Sequence, residues 1–163
     1  MFIGEFMNYE VQKITKLSDE NLNIIVDWMY KWWGKTEGYS IDELNCYILN
    51  SLQSDRLPLT YGIFDNKKII AIYQFTYSDL DSRPDIYPWL ANVYVDEQYR
   101  NKGIGKLLIE SVKENIKHTN FKEIYLYTPN NNFYEKYGFD FIGKIDTFKC
   151  NPRIQNLYKF EAR

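Results

Sequence analysis

The chain has 163 residues, enough for one domain of ordinary size and short for two. Hydrophobic residues make up 45% and charged residues 26%, which is a globular composition and not a disordered one. Twenty Lys and Arg against 22 Asp and Glu give a net charge of −2, without the basic excess of a general nucleic-acid binder. No apolar run approaches the roughly 18 residues of a membrane span. The segment 1–7 (MFIGEFM) is too short for a signal peptide and carries Glu5; it reads either as a leader or as residues added to the chain, with Met7 as the natural start. Two cysteines, Cys46 and Cys150, and one histidine, His118, form neither a disulfide framework nor a metal cluster. Reduced thiols fit a cytoplasmic protein. His118 falls near the end of a predicted helix, where a cation meets the helix dipole favourably.

Tyr9 to Thr15 reads as a strand. Ser18 caps a helix whose apolar positions are Leu22, Ile25, Val26, Met29 and Trp32 or Trp33, ended by Gly34. Ser40-Ile41-Asp42-Glu43 is a capping box that opens a second helix bearing Leu44, Tyr47, Ile48 and Leu52. Leu59 to Phe64 and Lys68 to Tyr77 form a hairpin around Asp65-Asn66-Lys67. Ser78 to Pro88 is a polar loop with two prolines and three aspartates. Trp89 to Val95 is a strand, and Ile104 to His118 a strongly amphipathic helix on Ile104, Leu108, Val112 and Ile116. Glu123 to Tyr127, a short helix at Asn131 to Tyr137, and strands at Phe139 to Ile145 and Gln155 to Phe160 complete the chain. The pattern is α/β of the α+β kind: one domain over residues 1–163, with a mixed, mostly antiparallel sheet of about seven strands and helices on both faces. The strand–helix–strand unit at Trp89 to Tyr127 makes those two strands parallel neighbours.

The stretch that carries chemistry is VYVDEQYRNKGIGKLL, Val93 to Leu108. Gly103 and Gly105 stand where a turn enters the long helix. The first N–H groups of a helix have no intrahelical partner, and without side chains at these positions an anion can approach them closely. Arg100, Lys102 and Lys106 add three positive charges. The segment reads as a site for a phosphate-bearing ligand. A dinucleotide fingerprint would need glycine where Leu108 stands. A P-loop would need Ser or Thr after Lys106 and a glycine five residues before Gly105. The pattern that is met is R-x-x-G-x-G, on Arg100, Gly103 and Gly105.

This pattern resembles the pyrophosphate loop of the GNAT superfamily of N-acetyltransferases, and Phe133-Tyr134-Glu135-Lys136-Tyr137-Gly138-Phe139 resembles the family's C-terminal motif. The loop DLDSRPDIYPWL is similar to that of a bacterial subgroup. The resemblance runs from Tyr9 to the end. It implies acetyl-coenzyme A as cofactor, with its pyrophosphate on Arg100, Asn101, Lys102, Gly103, Ile104, Gly105 and Lys106. Its pantetheine arm would pair with the main chain of Val93, Tyr94 and Val95, where the parallel strands splay. Tyr134 matches the tyrosine facing the thioester sulfur, with Tyr137 its core-packing neighbour.

The implied activity is acetyl transfer to a primary amine of a small molecule or peptide by direct attack. Some relatives place a glutamate near Trp89, and no carboxylate stands there. Asp79, Asp81 and Asp85 are the acids at hand, with Asp81 taken as the base and Asp79 drawing in a cationic amine. Trp33 and Trp89, with Trp32 and Tyr87, are candidate walls of the acceptor pocket, at least half of them better explained by core packing. A non-catalytic acyl-coenzyme A binding module is the alternative reading. The implied partner is the amine acceptor, with no nucleic acid and no membrane. An edge strand near the C-terminus offers a route to a homodimer.

Overall fold

The structure, a computed structural model, describes residues 9–163, so the leader reading of residues 1–7 lies outside the described residues. Its strands are β1 (Tyr9–Lys13), β2 (Leu59–Asp65), β3 (Lys68–Thr76), β4 (Trp89–Val95), β5 (Glu123–Thr128), β6 (Asp140–Asp146) and β7 (Ile154–Glu161). They form a seven-stranded sheet in the order β1-β2-β3-β4-β5-β7-β6. β4 meets β5 in parallel at Trp89↔Tyr125, whereas β1–β2, β5–β7 and β6–β7 are antiparallel. The expected mixed, mostly antiparallel sheet with one parallel pair is therefore observed. The helices are α1 (Asp19–Met29), α2 (Lys35–Glu37), α3 (Ile41–Leu49) and α4 (Ile104–Lys117).

By internal contacts the chain divides into two compact units. One runs to Tyr73 and adds Asn92–Ile104; the other comprises Gln74–Ala91 and Gly105–Arg163. In the first, Ile25, Val26, Trp28 and Met29 of α1 and Leu44 and Ile48 of α3 pack with Ile14, Phe64, Ile69 and Ile72 in one apolar cluster. A buried polar residue ties helix to sheet there. Asn21 of α1 donates to the Lys67 carbonyl at 2.9 Å and accepts from the Ile69 N–H at 3.0 Å, clamping the β2–β3 hairpin. In the second unit Leu80, Trp89, Ile145 and Leu157 form a smaller buried cluster.

Two local readings need correction. The first helix does not stop at Gly34. A π-helical segment over Tyr30–Gly34 carries it into α2, and the stop is Gly38, left-handed at φ 85°. Gly34 is buried instead, facing the Leu44 side chain. The short helix expected at Asn131 to Tyr137 is a single 3-10 turn over Tyr134–Tyr137. His118 stands at the helix end as expected, just beyond α4, exposed and with its Nε2 3.6 Å from Glu114.

Candidate active site

The segment from β4 into α4 is shaped by one residue out of place in a strand. Asn92 has φ 51°, a left-handed conformation inside β4, and its amide donates to the Tyr47 hydroxyl at 3.0 Å. Before it Trp89, Leu90 and Ala91 are buried; after it Val93, Tyr94 and Val95 are partly exposed. The turn that follows is anchored at its base. The Asp96 N–H donates to the Ile70 carbonyl at 2.9 Å, the Asp96 carboxylate accepts from the Gln98 N–H at 2.9 Å, and the Tyr99 hydroxyl donates to Asp65 at 2.9 Å.

Arg100 then folds back. Its Nε donates to the Val95 carbonyl at 3.0 Å and its guanidinium lies over the Tyr94 ring, 5.2 Å from the centroid. Lys102 lies 5.3 Å from the Tyr99 ring centroid. Asn101 at φ 60° and Gly103 at φ 83° turn the backbone into α4.

The start of α4 differs from those of α1 and α3. α1 opens with Ser18 accepting from the Asn21 N–H and with Asp19 and Glu20 in its first turn. α3 opens with a complete capping box at Ser40 and Glu43 and has Asp42 and Glu43 in its first turn. α4 has no acid in its first turn and carries Lys106 there instead. Acids at α1 and α3 offset the positive end of the helix dipole; the first turn of α4 has none, and its leading N–H groups are of the kind that binds anions. A Cβ built on Gly105 would meet only Phe133, at 3.8 Å, so the protein itself does not require glycine there. The donors, the charge and the open approach fit a diphosphate.

Phe133 links this helix start to the second motif. Its ring packs edge-on against Tyr134 at 5.0 Å and against Tyr137 at 5.4 Å. Tyr134 also packs against Phe139 at 5.5 Å and Tyr158 at 6.0 Å. Neither Tyr134 nor Tyr137 is fully in the core, since both are partly buried. Burial alone pushes the Tyr134 phenol up to about 12, with no neighbouring charge involved. It stays a neutral hydrogen-bond donor at any physiological pH.

The residues expected around the acceptor differ widely in burial and in their partners. Trp89 is fully buried, its ring 6.1 Å from Tyr125 and 6.0 Å from Tyr127, and its Nε1–H has no hydrogen-bond partner among the described residues. It is a core residue. Asp79 offers its carbonyl to the Tyr127 hydroxyl at 3.3 Å. Asp81 is exposed, 3.9 Å from Lys149. Asp85 accepts two bonds from Arg83 at 2.7 and 2.8 Å, which hold its carboxyl below the usual carboxylate range. Trp33 meets Tyr39 at 5.6 Å and Tyr47 at 6.3 Å, edge-on in both cases. Trp32 is half exposed and lies 5.6 Å from Tyr94, which also stacks on Trp28 at 5.2 Å.

The family model of the acetyltransferase (GNAT) domain matches residues 59–140, just over half of the chain. The chain belongs to the GNAT acetyltransferase family. Spermine/spermidine N(1)-acetyltransferase of Bacillus subtilis (strain 168) is 33% identical over 64 residues, covering 36% of this chain. The match spans 42% of that relative's own length. The GNAT fold is shared with an aminoglycoside 6'-N-acetyltransferase complexed with coenzyme A, at a TM-score of 0.72, 12% identity and coverage of 94% and 97% of the two chains. It is shared also with a GNAT acetyltransferase of Elizabethkingia anophelis with acetyl-CoA bound, at a TM-score of 0.61, 20% identity and coverage of 94% and 98%.

Three features of this GNAT chain escaped the sequence reading. Asn92 leaves only a faint mark, asparagine being depleted in strands. The Tyr94 platform under Arg100 had no signal, because a strand residue six positions away is not a neighbour by periodicity. The bond between Tyr158 and Glu135 joins residues 23 apart.

Proposed function

We propose that the protein transfers the acetyl group of acetyl-coenzyme A to a primary amine of a small molecule or a peptide by direct attack. The single observation that carries the reading is the start of α4: no acid in the first turn, a left-handed Gly103, and a Gly105 that the protein's own packing does not require, in a segment that carries basic Arg100, Lys102 and Lys106. Family membership supports acetyl transfer in general. The name of the Bacillus subtilis relative puts alkyl polyamines first among acceptors to try.

In this reading the main chain of Arg100 to Lys106 binds the diphosphate, and Val93, Tyr94 and Val95 offer main-chain groups to the pantetheine arm. Acetyl-coenzyme A, when bound, supplies an activated acetyl thioester and a thiol leaving group. Tyr134 hydrogen-bonds the departing sulfur. A phenol near 12 does not hand its proton to a thiolate whose acid has a pKa of about 8.5, because that transfer is uphill by roughly 5 kcal/mol. The proton comes from the acceptor ammonium or from water.

An alkyl amine of pKa about 10.4 is neutral in about one molecule in 2,500 at pH 7, a cost of roughly 4.6 kcal/mol. Orientation of the reactants is worth about 7–11 kcal/mol, so positioning dominates. Asp81 takes up the released proton through water, a role open to an exposed carboxylate. Trp32 and Trp33 contribute aromatic faces to which a cationic amine is attracted.

The test is an amine panel containing spermidine, spermine, an aminoglycoside and lysine-bearing peptides, followed by thiol release and by the mass of the product. A gain of one acetyl group on an amine, with equimolar thiol, is the expected result. Coenzyme A binding without release on any amine contradicts the reading.

A further inference from the structure

Tyr134 sits at the head of a four-residue 3-10 turn, Tyr134–Tyr137, and so short a turn has little rigidity of its own. Its backbone is closed by the Gly138 N–H on the Glu135 carbonyl at 3.1 Å and by the Phe139 N–H on the Tyr134 carbonyl at 3.2 Å. Both bonds lie at the C-terminal end. On the other side the Phe133 ring packs on Tyr134, the Asn156 amide donates to the Asn130 carbonyl and to Asn131, and Tyr158 adds the contact to the strands. Tyr158 stands in β7, paired with Leu126 of β5 and with Phe141 of β6, so its backbone is fixed on both sides. Its side chain is 1% exposed. The ring lies against Tyr134, and its hydroxyl donates to the carboxylate of Glu135 at 2.7 Å. That bond is the main reason the Glu135 carboxyl falls below its usual range.

We propose that Tyr158 and Glu135 are positioning residues that hold the Tyr134 hydroxyl in register with the reacting sulfur. The inference rests on the role given to Tyr134 above. Through Tyr158 the β5–β7–β6 ladder is connected by one charge-assisted hydrogen bond and one ring contact to the turn that bears the Tyr134 donor. Tyr158 is buried and reaches the turn through the Tyr134 ring and the Glu135 carboxylate. Its contribution is therefore entirely through the placement of the phenol, where a displacement of an ångström is enough to matter.

The experiment measures kcat and KM for acetyl-coenzyme A with the acceptor found active, in six proteins: wild type, Tyr158→Phe, Glu135→Ala, Glu135→Gln, Tyr134→Phe and Tyr134→Phe/Tyr158→Phe. Tyr158→Phe keeps the ring and removes only the hydroxyl. It is expected to lower kcat about tenfold with KM unchanged. Glu135→Ala should give the same fall. Glu135→Gln, which keeps an oxygen acceptor for Tyr158, should retain most of kcat. In the Tyr134→Phe background, removal of the Tyr158 hydroxyl should have no further effect, since there is no phenol left to place.

Wild-type kcat in Tyr158→Phe overturns the proposal, as does an equal loss in both backgrounds, which would mark a structural role. Should Tyr158→Phe fail to fold, the surface pair Glu135→Ala and Glu135→Gln decides alone: equal kcat in the two overturns the proposal. A Tyr134→Phe protein as active as wild type removes the role of Tyr134 itself, and the positioning claim falls with it. A loss in Tyr134→Phe alone leaves that role standing and removes only the positioning.

Discussion

The Arg100 guanidinium lies over the Tyr94 ring at 5.2 Å while its Nε donates to the carbonyl of Val95, the residue next to that ring. Two contacts within the protein itself hold the fork. Tyr94 is itself held, stacked on Trp28 at 5.2 Å and touched by Trp32 at 5.6 Å. A guanidinium ordered in advance loses little freedom when it meets a phosphate oxygen. Arg100→Ala is therefore expected to weaken coenzyme A binding by about 10- to 100-fold, the range of a charge-assisted hydrogen bond. Titration calorimetry at two salt concentrations checks this. The variant should also lose part of the wild-type salt dependence, and unchanged affinity would remove Arg100 from the site.

Tyr134→Phe removes the proposed donor and leaves the ring stack with Phe133, Phe139 and Tyr158. Turnover should fall about 10- to 100-fold with coenzyme A affinity unchanged. Because the phenol is pushed up to about 12, the wild-type rate should show no descending limb from this group below about pH 11. A loss of rate centred near pH 10 that vanishes in Tyr134→Phe would contradict the assignment.

Asn92 holds a left-handed backbone inside a strand. Asn92→Val should cost about 1–3 kcal/mol of stability, because a β-branched side chain is badly accommodated there and the bond to Tyr47 is lost. Asn92→Gly should cost less, keeping the conformation and losing only the bond. Denaturant melts of the three proteins measure the order directly.

Tyr61 and Tyr134 are both pushed up to about 12 by burial. The unfolded chain releases these protons near pH 10 and the folded chain near 12. Between those values the folded state binds more protons, so stability is full below about pH 10 and declines as pH rises toward 12. Melting midpoints from pH 8 to 11.5 should be flat and then fall. Tyr61→Phe should reduce the slope of that fall.

The fold was legible where one face of an element meets water. β5 alternates buried and partly buried residues along Glu123–Thr128, and α4 repeats its buried positions at Ile104, Leu108, Val112 and Ile116. The hydrophobic pattern alone dictates both. The capping box at Ser40 and Glu43 was equally plain, because it is a bond between residues three apart. The reading faltered where tertiary packing overrides local preference. Gly34 has the composition of a helix stop but lies buried against Leu44 in a chain that stays helical to Glu37.

At the site, the glycine and basic residues of the loop were visible because backbone access to an anion demands those residue types close together in sequence. The aromatic surroundings were not. Trp89 and Trp32 are alike in sequence terms, yet one is wholly buried and the other half exposed. Only the packing of each element, helix or strand, decides which of its sides faces inward.

The measurement that bears most directly on the account is coenzyme A binding to Gly105→Val, with the thermal midpoint recorded on the same samples. Outside its own helix, the nearest protein atom to a Cβ at this position is 3.8 Å away, so the variant should fold with a midpoint within a few degrees of wild type. Coenzyme A should bind the wild type and fail to bind the variant, since the new side chain stands where the diphosphate approaches the first N–H groups of α4. A folded Gly105→Val protein that binds coenzyme A as tightly as wild type would contradict the account.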